Sequence, residues 1–236
     1  MHKIVILRLE APMMSFGAPI VDNFGKIQPY PSLSQITGLL ANALGYRHED
    51  YDLISHLQNN LIYSVCCIRS GEQITDYQTV DLGQDFMVGT GWTTRNRVEE
   101  RGGASSKATH IRYRSYWADS SYLVAIRLKT KDSVNVAMLS EAIQRPARPL
   151  FIGRKCCIPS VKLFASESES ASSMEALINY IHKVLKLTGD FEMWTSEPEF
   201  NDEIFDTIMV TDEKDWKNQI HVGQRLVKHG LVKLEA

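Results

Sequence analysis

The chain has 236 residues, of which 44% are hydrophobic and 23% are charged, and its formal net charge is −2. These values are typical of globular proteins and exclude a mainly disordered, collagen-like or coiled-coil chain. Its apolar stretches are far shorter than the ~18–20 residues that cross a bilayer, so we expect a cytoplasmic protein without a membrane segment. The length fits one large domain or two small ones.

The four cysteines form two adjacent pairs, Cys66-Cys67 and Cys156-Cys157. Neighbouring side chains of a strand point to opposite faces, so neither pair is expected to chelate a metal alone. We therefore predict free thiols, no metal and no cofactor.

Charged residues are segregated along the chain. Six basic and two acidic residues occupy Arg95 to Arg114, and four basic residues without an acid occupy Arg145 to Lys155. Nine acids without a Lys or Arg occupy Asp190 to Glu213. The basic segments indicate a polyanionic partner, and the acidic segment is predicted to be a docking surface or a solvated loop.

Hydrophobic periodicity and turn residues predict the elements of the N-terminal part. Ser32 and Gln35 fit a capping box at the start of a helix that Gly45 is expected to end. In chain order we predict a strand at Lys3–Leu9, a loop at Ala11–Pro31, the capped helix, a short helix at Glu49–Leu57 and a strand at Leu61–Arg69.

A long segment from Asp76 to Ala118 lacks sustained core periodicity. Its two ends are strand-like, and Gly102–Ser106 is expected at a mobile tip. Because a connection longer than ~12–15 residues is usually functional, we predict a long β-hairpin that leaves the sheet.

The later elements complete a β-α-β-(hairpin)-β-α-β order, which is typical of the RRM/ferredoxin-like arrangement. They are a strand at Ser121–Lys129, a helix capped by Ser133, a strand at Val161–Phe164, a serine-rich loop at Ser166–Ser173 and a helix at Met174–Leu187. The predicted fold class is α+β, with an RRM-like domain over residues 1–165, a hairpin insertion at 76–118 and a small C-terminal α/β extension over 166–236.

The returning arm of the hairpin carries cations and aromatic residues in alternation. A strand would place Arg112, Arg114 and Tyr116 on one face and Tyr113 on the other. Such a strand suits RNA, because cations follow the phosphodiester backbone while aromatic rings stack on bases. The alternative is an ordinary solvated hairpin.

Two further features are predicted to hold anions. The segment from Arg145 to Lys155 combines prolines, a glycine and four cations. The N-terminus of the helix that Ser32 caps offers backbone N–H groups to a phosphate.

No motif for metal-dependent, P-loop or serine-nucleophile chemistry occurs in the chain. Lys107 and His110, with Tyr113 or Tyr116, are candidates for metal-independent RNA cleavage. His110 would act as general acid or base, and Lys107 would stabilise charge on the phosphorane. We favour phosphate binding by Lys107 and base contact by His110, and so predict no enzymatic activity.

Several segments, in this order, resemble one known family. They are Leu7–Gly17 (LRLEAPMMSFG), Tyr30–Ser32 with Gly38–Gly45, Asp76–Val80 (DYQTV) and Phe151–Cys156 (FIGRKC). The series is similar to that of the CRISPR-associated Cascade subunits that cap the crRNA 5′ handle, in particular the CasD-type, type I-E-like members. The resemblance covers roughly residues 3 to 165 and is weak beyond them.

The resemblance implies a right hand in which an RRM-like palm and a thumb at 76–118 hold the crRNA 5′ handle. The implied neighbours are the Cascade backbone subunit and the large subunit that reads the PAM, with target DNA contacted only indirectly. Two departures are that Leu33 stands where relatives have a basic residue and that the Arg95–Ser106 portion lengthens the thumb.

The implied function is that of a non-catalytic crRNA-binding subunit in an antiviral ribonucleoprotein complex, where base pairing supplies the sequence specificity. The alternatives are a crRNA-processing endoribonuclease and a generic RRM-like binder of single-stranded RNA. The residues predicted to bind RNA lie in the first loop, the helix start, the thumb and the second basic segment: Phe16, Gly17, Ser32, Arg95, Arg97, Lys107, His110, Arg112, Tyr113, Arg114, Arg145, Arg148, Phe151, Gly153, Arg154 and Lys155.

Overall fold

The structure, a computed structural model, describes residues 1–18, 22–84, 91–92, 97–99, 108–130, 134–198, 200 and 204–235. It has the predicted α+β class. The helices are α1 (Leu33–Leu44), α2 (Tyr51–Asn60), α3 (Val136–Gln144) and α4 (Ser173–Asn179), the last continued by a π-helical turn at Tyr180–Leu185. The strands are β1 (His2–Glu10), β2 (Met13–Met14), β3 (Phe24–Gly25), β4 (Leu61–Arg69), β5 (Glu72–Asp81), β6 (Gly91–Trp92), β7 (Val98–Glu99), β8 (Thr109–Ala118), β9 (Ser121–Leu128), β10 (Phe164–Ser170), β11 (Gly189–Thr195), β12 (Asp206–Val210), β13 (Glu213–Asp215), β14 (Ile220–Val222) and β15 (Arg225–Leu234).

Seven strands form one sheet in the order β10-β1-β9-β4-β11-β15-β12. Every neighbouring pair in this sheet is antiparallel. Strand β1 lies between β10 and β9, so its backbone groups are paired on both edges.

Both faces of the sheet are covered, as the apolar residues on both faces of β1 predict. On one side, Val5 and Leu7 pack in a core with residues of α1, α2 and α3. On the other, Ile4 and Ile6 pack with residues of α4 and its π-helical turn. The alternation of β1 side chains therefore divides the protein into two cores.

Helix α1 begins and ends at the predicted residues. Ser32 is its N-cap and accepts a hydrogen bond from the Gln35 backbone N–H at 3.2 Å. Gly45 ends it in the left-handed region, with φ of +87°. The N-cap and C-cap predictions are confirmed, but the reciprocal half of the capping box is missing, because the side-chain Oε1 of Gln35 accepts no hydrogen bond from a described residue.

The predicted hairpin is present as strands β5 and β8, which pair from Glu72 opposite Ala118 to Asp81 opposite Thr109. Its ladder belongs to a separate four-stranded sheet with β2 and β3. The predicted tip at 102–106 lies outside the described residues.

Two predictions for the chain after α3 are wrong. The strand predicted at 161–164 and the serine-rich loop at 166–173 are replaced by β10, which runs from Phe164 to Ser170 and pairs with β1. The edge position explains this strand, because the backbone ladder to β1 holds it without an apolar alternation of its own. Asn135 caps α3, and the predicted cap at Ser133 lies outside the described residues.

The C-terminal strands join the main sheet, because β11 pairs with β4 and β15 pairs with β11. Residues on both sides of the predicted boundary at 165 thus share one sheet, and the division into domains stays a prediction. In the described ranges, no helix is long and apolar enough to cross a membrane.

Candidate nucleic-acid interface

A cavity of about 290 Å³ lies where the loop after β2, the start of α1, strand β8 and the hairpin of β13 and β14 meet. Five of the predicted RNA-binding residues line it: Gly17, Ser32, Arg114, Gly153 and Arg154. Lining residues that sequence reasoning missed include Lys26, Gln35, Lys214, Trp216 and His221. Among the described lining residues there is no Asp or Glu, so the cavity is suited to an anion.

The guanidinium of Arg154 links its own turn to strands β3 and β8. Its Nη1 donates to the carbonyl oxygen of Ser115 at 2.8 Å, and its Nη2 donates to that of Gly25 at 3.1 Å. It also lies 4.6 Å from the ring centroid of Tyr116. These contacts fix the position of the cation before any ligand arrives.

Gly153 is required by the turn that presents Arg154. Its φ is +97°, and a Cβ at this position would overlap the backbone carbonyl oxygen of Ser15. The Ser15 N–H in turn donates to the carbonyl oxygen of Ile152 at 3.1 Å. The turn therefore packs backbone to backbone against the first loop, which only glycine allows.

Arg114 approaches the same point from β8. A Cβ on Gly25 would lie 2.9 Å from a guanidinium nitrogen of each of Arg114 and Arg154, so both cations converge on this glycine. Asp76 is opposite Arg114 in register but accepts a hydrogen bond from Gln78 at 2.6 Å. Among the described residues neither Arg114 nor Arg154 forms a salt bridge, so the two cations repel each other at this point, and a bound phosphate would relieve that repulsion.

The opposite face of the hairpin carries aromatic rings. Tyr113 stacks on Phe24 with a centroid distance of 4.9 Å and an interplanar angle of 9°, and Tyr77 lies 5.4 Å from Tyr113. Phe24 is 47% exposed and Tyr77 is 54% exposed. The predicted division of β8, with cations on one face and Tyr113 on the other, is confirmed by these contacts.

Of the residues considered for RNA cleavage, His110 does not come together with Tyr113 or Tyr116. His110 is exposed on the same face of β8 as Arg112, whereas Tyr113 stacks on Phe24 on the other face. Tyr116 shares the face of His110, but six residues of strand separate them by about 20 Å. Lys107 lies outside the described residues. A site that joins His110 to either tyrosine is therefore incompatible with the strand geometry.

Several other predicted residues lie away from the cavity. Phe16 is 0% exposed and packs edge-on against Tyr122 in the core, so its ring cannot contact RNA. Arg148 donates to Asn42 Oδ1 at 2.7 Å and to the carbonyl oxygen of Tyr46. It lines a second cavity of about 550 Å³, which Trp216 also borders.

The remaining predicted residues have simple placements. Arg97 lies beside β7, and Arg95 is outside the described residues. Arg112, Arg145 and Lys155 are exposed, and Phe151 is half-buried. The second basic segment is thus divided, with Arg154 in the first cavity and Arg148 in the second.

The N-terminus of α1 is not free to bind a phosphate. The N–H of Leu33 donates to Asp212 Oδ2 at 2.8 Å, and that of Ser34 donates to the Asp212 carbonyl oxygen at 3.1 Å. Arg225 Nε donates to Asp212 Oδ1 at 2.6 Å. The prediction of a phosphate site here is wrong, because Asp212 accepts from both N–H groups, through its carboxylate and its backbone carbonyl oxygen.

The prediction of a docking surface or a solvated loop for the acidic segment is contradicted at Glu197 and Asp212, which are buried, whereas Asp190 and Asp206 are exposed. Glu197 lies 2.5 Å from Arg127 Nη2, and both Glu197 and Asp212 are buried. These acids are counter-ions of buried arginines and fasten the C-terminal strands to the rest of the fold.

Burial changes the ionisation of groups at the cavity. Desolvation lowers the pKa of Lys214, and burial together with the Cys156 thiol raises the pKa of Tyr116.

All four thiols are free, and burial raises the pKa of Cys157 to about 12. In the part of the chain that the structure describes, no three His, Cys, Asp or Glu residues are grouped as a metal site requires.

Comparisons with known proteins agree on one family. Residues 4–228 match the model of the family described as CRISPR-associated protein (Cas_Cas5). The CRISPR system Cascade subunit CasD of Escherichia coli (strain K12) is 26% identical over 207 residues, which cover 84% of this chain and 89% of that protein.

Two solved structures share the fold at 21% sequence identity. One, described as a CRISPR RNA-guided surveillance complex, has a TM-score of 0.70 and covers 98% of this chain and 90% of its own. The other, described as a crystal structure of a Cas protein, has a TM-score of 0.61 and covers 98% and 95%.

Proposed function

We propose a function from the premise that the chain belongs to the CRISPR-associated protein (Cas_Cas5) family. The protein is a non-catalytic crRNA-binding subunit of a type I Cascade complex. In this role it caps the 5′ handle of the crRNA. Its similarity to a Cascade subunit and to a CRISPR RNA-guided surveillance complex supports the assignment.

The observation that carries the proposal is the convergence of Arg114 and Arg154 on Gly25 in a cavity whose described lining has no acid. Guanidinium groups bind phosphate oxygens through parallel N–H donors, so this pair suits a kinked RNA backbone. The exposed rings of Phe24 and Tyr77, on the other face of β8, suit stacking with unpaired bases.

In this proposal the palm is the RRM-like unit of β1, α1, β4, β9, α3 and β10. The spatial order β10-β1-β9-β4 supports it, because the first strand lies between the third and fourth strands of the unit. The pair of β5 and β8 is the thumb. Its position between β4 and β9 in the chain agrees with an insertion into the palm.

The partners proposed for this subunit are the crRNA 5′ handle, the Cascade backbone subunit and the large subunit that reads the PAM. Target DNA is engaged through pairing with the crRNA, so this chain contacts it only indirectly.

A direct test is to incubate the full-length protein with end-labelled repeat RNA from its own locus in EDTA and to follow both retention and cleavage on gels. We expect intact RNA that is retained only when the 5′ handle is present. A cut in EDTA that His110→Ala abolishes would establish the metal-independent ribonuclease instead. Equal retention of unrelated single strands would favour a generic RNA binder.

A further inference from the structure

Cys156 and Cys157 belong to the turn whose Gly153 and Arg154 line the cavity. Neither cysteine is in a strand, so the alternation that separates neighbouring side chains in a strand does not act on them. Their thiols are hydrogen-bonded to each other. We propose that this pair is an oxidation site, at which an anionic low-molecular-weight disulfide such as oxidised glutathione converts the two thiols into one disulfide and displaces Arg154. The consequence for RNA binding rests on the proposed function.

The other adjacent pair shows how a strand keeps such thiols apart. Cys66 and Cys67 are both in β4. Cys66 is buried in the core on the α4 side of the sheet, whereas Cys67 packs against the core on the α1 side. No disulfide can join these two residues while the strand is intact. The pair is therefore an internal control for the proposed reaction.

Cys156 is the thiol that an oxidant reaches first. It is exposed, whereas Cys157 is 1% exposed. Arg154 and the exposed Lys155 precede it and attract an anionic disulfide. The raised pKa of Cys157 keeps that thiol protonated near neutral pH, so Cys156 makes the first attack.

The reaction consists of two thiol–disulfide exchanges. The Cys156 thiolate attacks one sulfur of the oxidant, the S–S bond of the oxidant breaks, and one thiol leaves as the mixed disulfide forms. The Cys157 sulfur then attacks Cys156 Sγ, the mixed disulfide breaks, and the second thiol leaves. The two cysteines lose two electrons and two protons in total, and the two released thiols carry both.

The disulfide cannot form unless this turn moves. Neighbouring Cα atoms are ~3.8 Å apart across a trans peptide, which is less than the ~4.4–6.8 Å of ordinary disulfides. The N–H of the peptide between the two cysteines donates to the Arg154 carbonyl oxygen at 2.9 Å. Ring closure reorients this peptide and so disrupts that hydrogen bond. A strained, accessible disulfide is also easily reduced, which makes the reaction reversible.

The movement reaches Arg154 by a second route. Cys156 Sγ lies 3.6 Å from the Tyr116 hydroxyl, and the Arg154 guanidinium lies over the ring of the same tyrosine. When Sγ turns towards Cys157, its contact with Tyr116 is lost. Oxidation thus loosens both the backbone and the ring that position Arg154, and the affinity for an RNA phosphate falls.

The test combines peptide masses with RNA binding in the full-length protein. Reduced wild type, Cys156→Ser and the control Cys67→Ser are incubated with oxidised glutathione, the remaining thiols are alkylated, and tryptic peptides are weighed. Trypsin cleaves after Lys155 and Lys162, so residues 156–162 form one peptide that is separate from the other pair. Affinity for the crRNA 5′ handle is measured before oxidation, after it and after re-reduction with dithiothreitol. Urea unfolding of the reduced variants checks that each is folded.

We expect the wild-type peptide 156–162 to lose two hydrogen atoms and to escape alkylation, and we expect no disulfide between Cys66 and Cys67. Affinity should fall about tenfold, as for one lost charged contact, and return on re-reduction. Cys67→Ser should respond like wild type, and the affinity of Cys156→Ser should not respond to the oxidant.

Two results would overturn the inference. One is a peptide 156–162 that stays reduced or keeps a single glutathione, whether or not RNA binds. The other is a complete disulfide with no loss of affinity. Failure of the reduced protein to bind the handle would instead overturn the proposed function, and the peptide masses would still decide whether the site is oxidised.

Discussion

The carboxylate of Asp212 accepts a hydrogen bond at 2.8 Å from the backbone N–H of Leu33, which precedes it by 179 positions. The same carboxylate pairs with the buried guanidinium of Arg225. One acidic side chain thus caps helix α1, neutralises a buried cation and sets the position of the hairpin that follows. This contact joins the C-terminal part of the chain to the proposed RNA-binding cavity.

Asp212→Asn should lower the free energy of unfolding by about 3 kcal/mol, because it leaves the Arg225 charge buried without a counter-ion. Urea denaturation measures this change. Asp206→Asn is the control, since Asp206 is exposed at the start of β12, and it should unfold like wild type. Equal stability of both variants would show that the ion pair does not anchor the hairpin.

Through Glu197, the stability of the folded protein depends on pH. Burial opposes ionisation of this carboxyl, but hydrogen bonds from Arg127 and Ser173 outweigh burial and lower its pKa below the ordinary 4.5. The ionised carboxylate therefore stabilises the protein at pH values above the pKa that Glu197 has in the unfolded chain. This contribution is lost as the pH falls through the lower pKa that Glu197 has in the folded protein. In urea unfolding between pH 6 and pH 3, Glu197→Gln should be less stable than wild type at pH 6, and the difference should shrink towards pH 3. A constant difference would contradict this account.

Gly153→Ala should destabilise the protein by about 1–3 kcal/mol, since it places a Cβ against the Ser15 carbonyl and strains a residue at a φ of +97°. RNA affinity should fall as well, because the turn positions Arg154. Thermal unfolding and RNA titration measure the two effects. Gly17→Ala is the steric control, since a Cβ there meets no atom within 4 Å, and its thermal unfolding should match wild type.

Tyr113→Ala should weaken RNA binding by about 1–3 kcal/mol if the aromatic face of the thumb stacks on a base. The salt dependence of binding should not change, because no charge is removed. Tyr113→Phe retains the ring and should bind like wild type. Equal affinity of Tyr113→Ala and Tyr113→Phe in fluorescence anisotropy would remove this face from the interface.

Local signals determine part of the fold. Strand β4 has the predicted bounds, Leu61–Arg69, because a continuous apolar run follows directly on the end of α2. Helix α1 has the predicted caps because Ser32 and Gly45 act on backbone groups within one turn. Strand β10 was missed because its serines and glutamates carry no apolar alternation, and only pairing with β1 makes it a strand.

The cavity could be predicted only in part. Gly153 and Arg154 belong to a recognisable turn, and Arg114 belongs to an alternating strand. The sequence does not indicate that the hairpin of β13 and β14 lines the cavity. Lys214 and Trp216 are far from Ser32 in the chain, and they follow a run of acids that is typical of a solvated surface. Leu33 lies 179 positions from Asp212, and Arg127 lies 70 positions from Glu197, so no local pattern indicates that these acids are buried.

The salt dependence of RNA binding tests the central claim most directly. Affinity for the crRNA 5′ handle is measured at several salt concentrations for wild type, Arg114→Gln and the control Lys183→Gln, which changes an exposed lysine on the π-helical turn across the sheet from α1. Each lost phosphate contact should reduce the slope of log affinity against log salt by about 0.7 for single-stranded RNA. The account predicts that reduction for Arg114→Gln, no change for Lys183→Gln and intact RNA throughout. An unchanged slope for Arg114→Gln would contradict it.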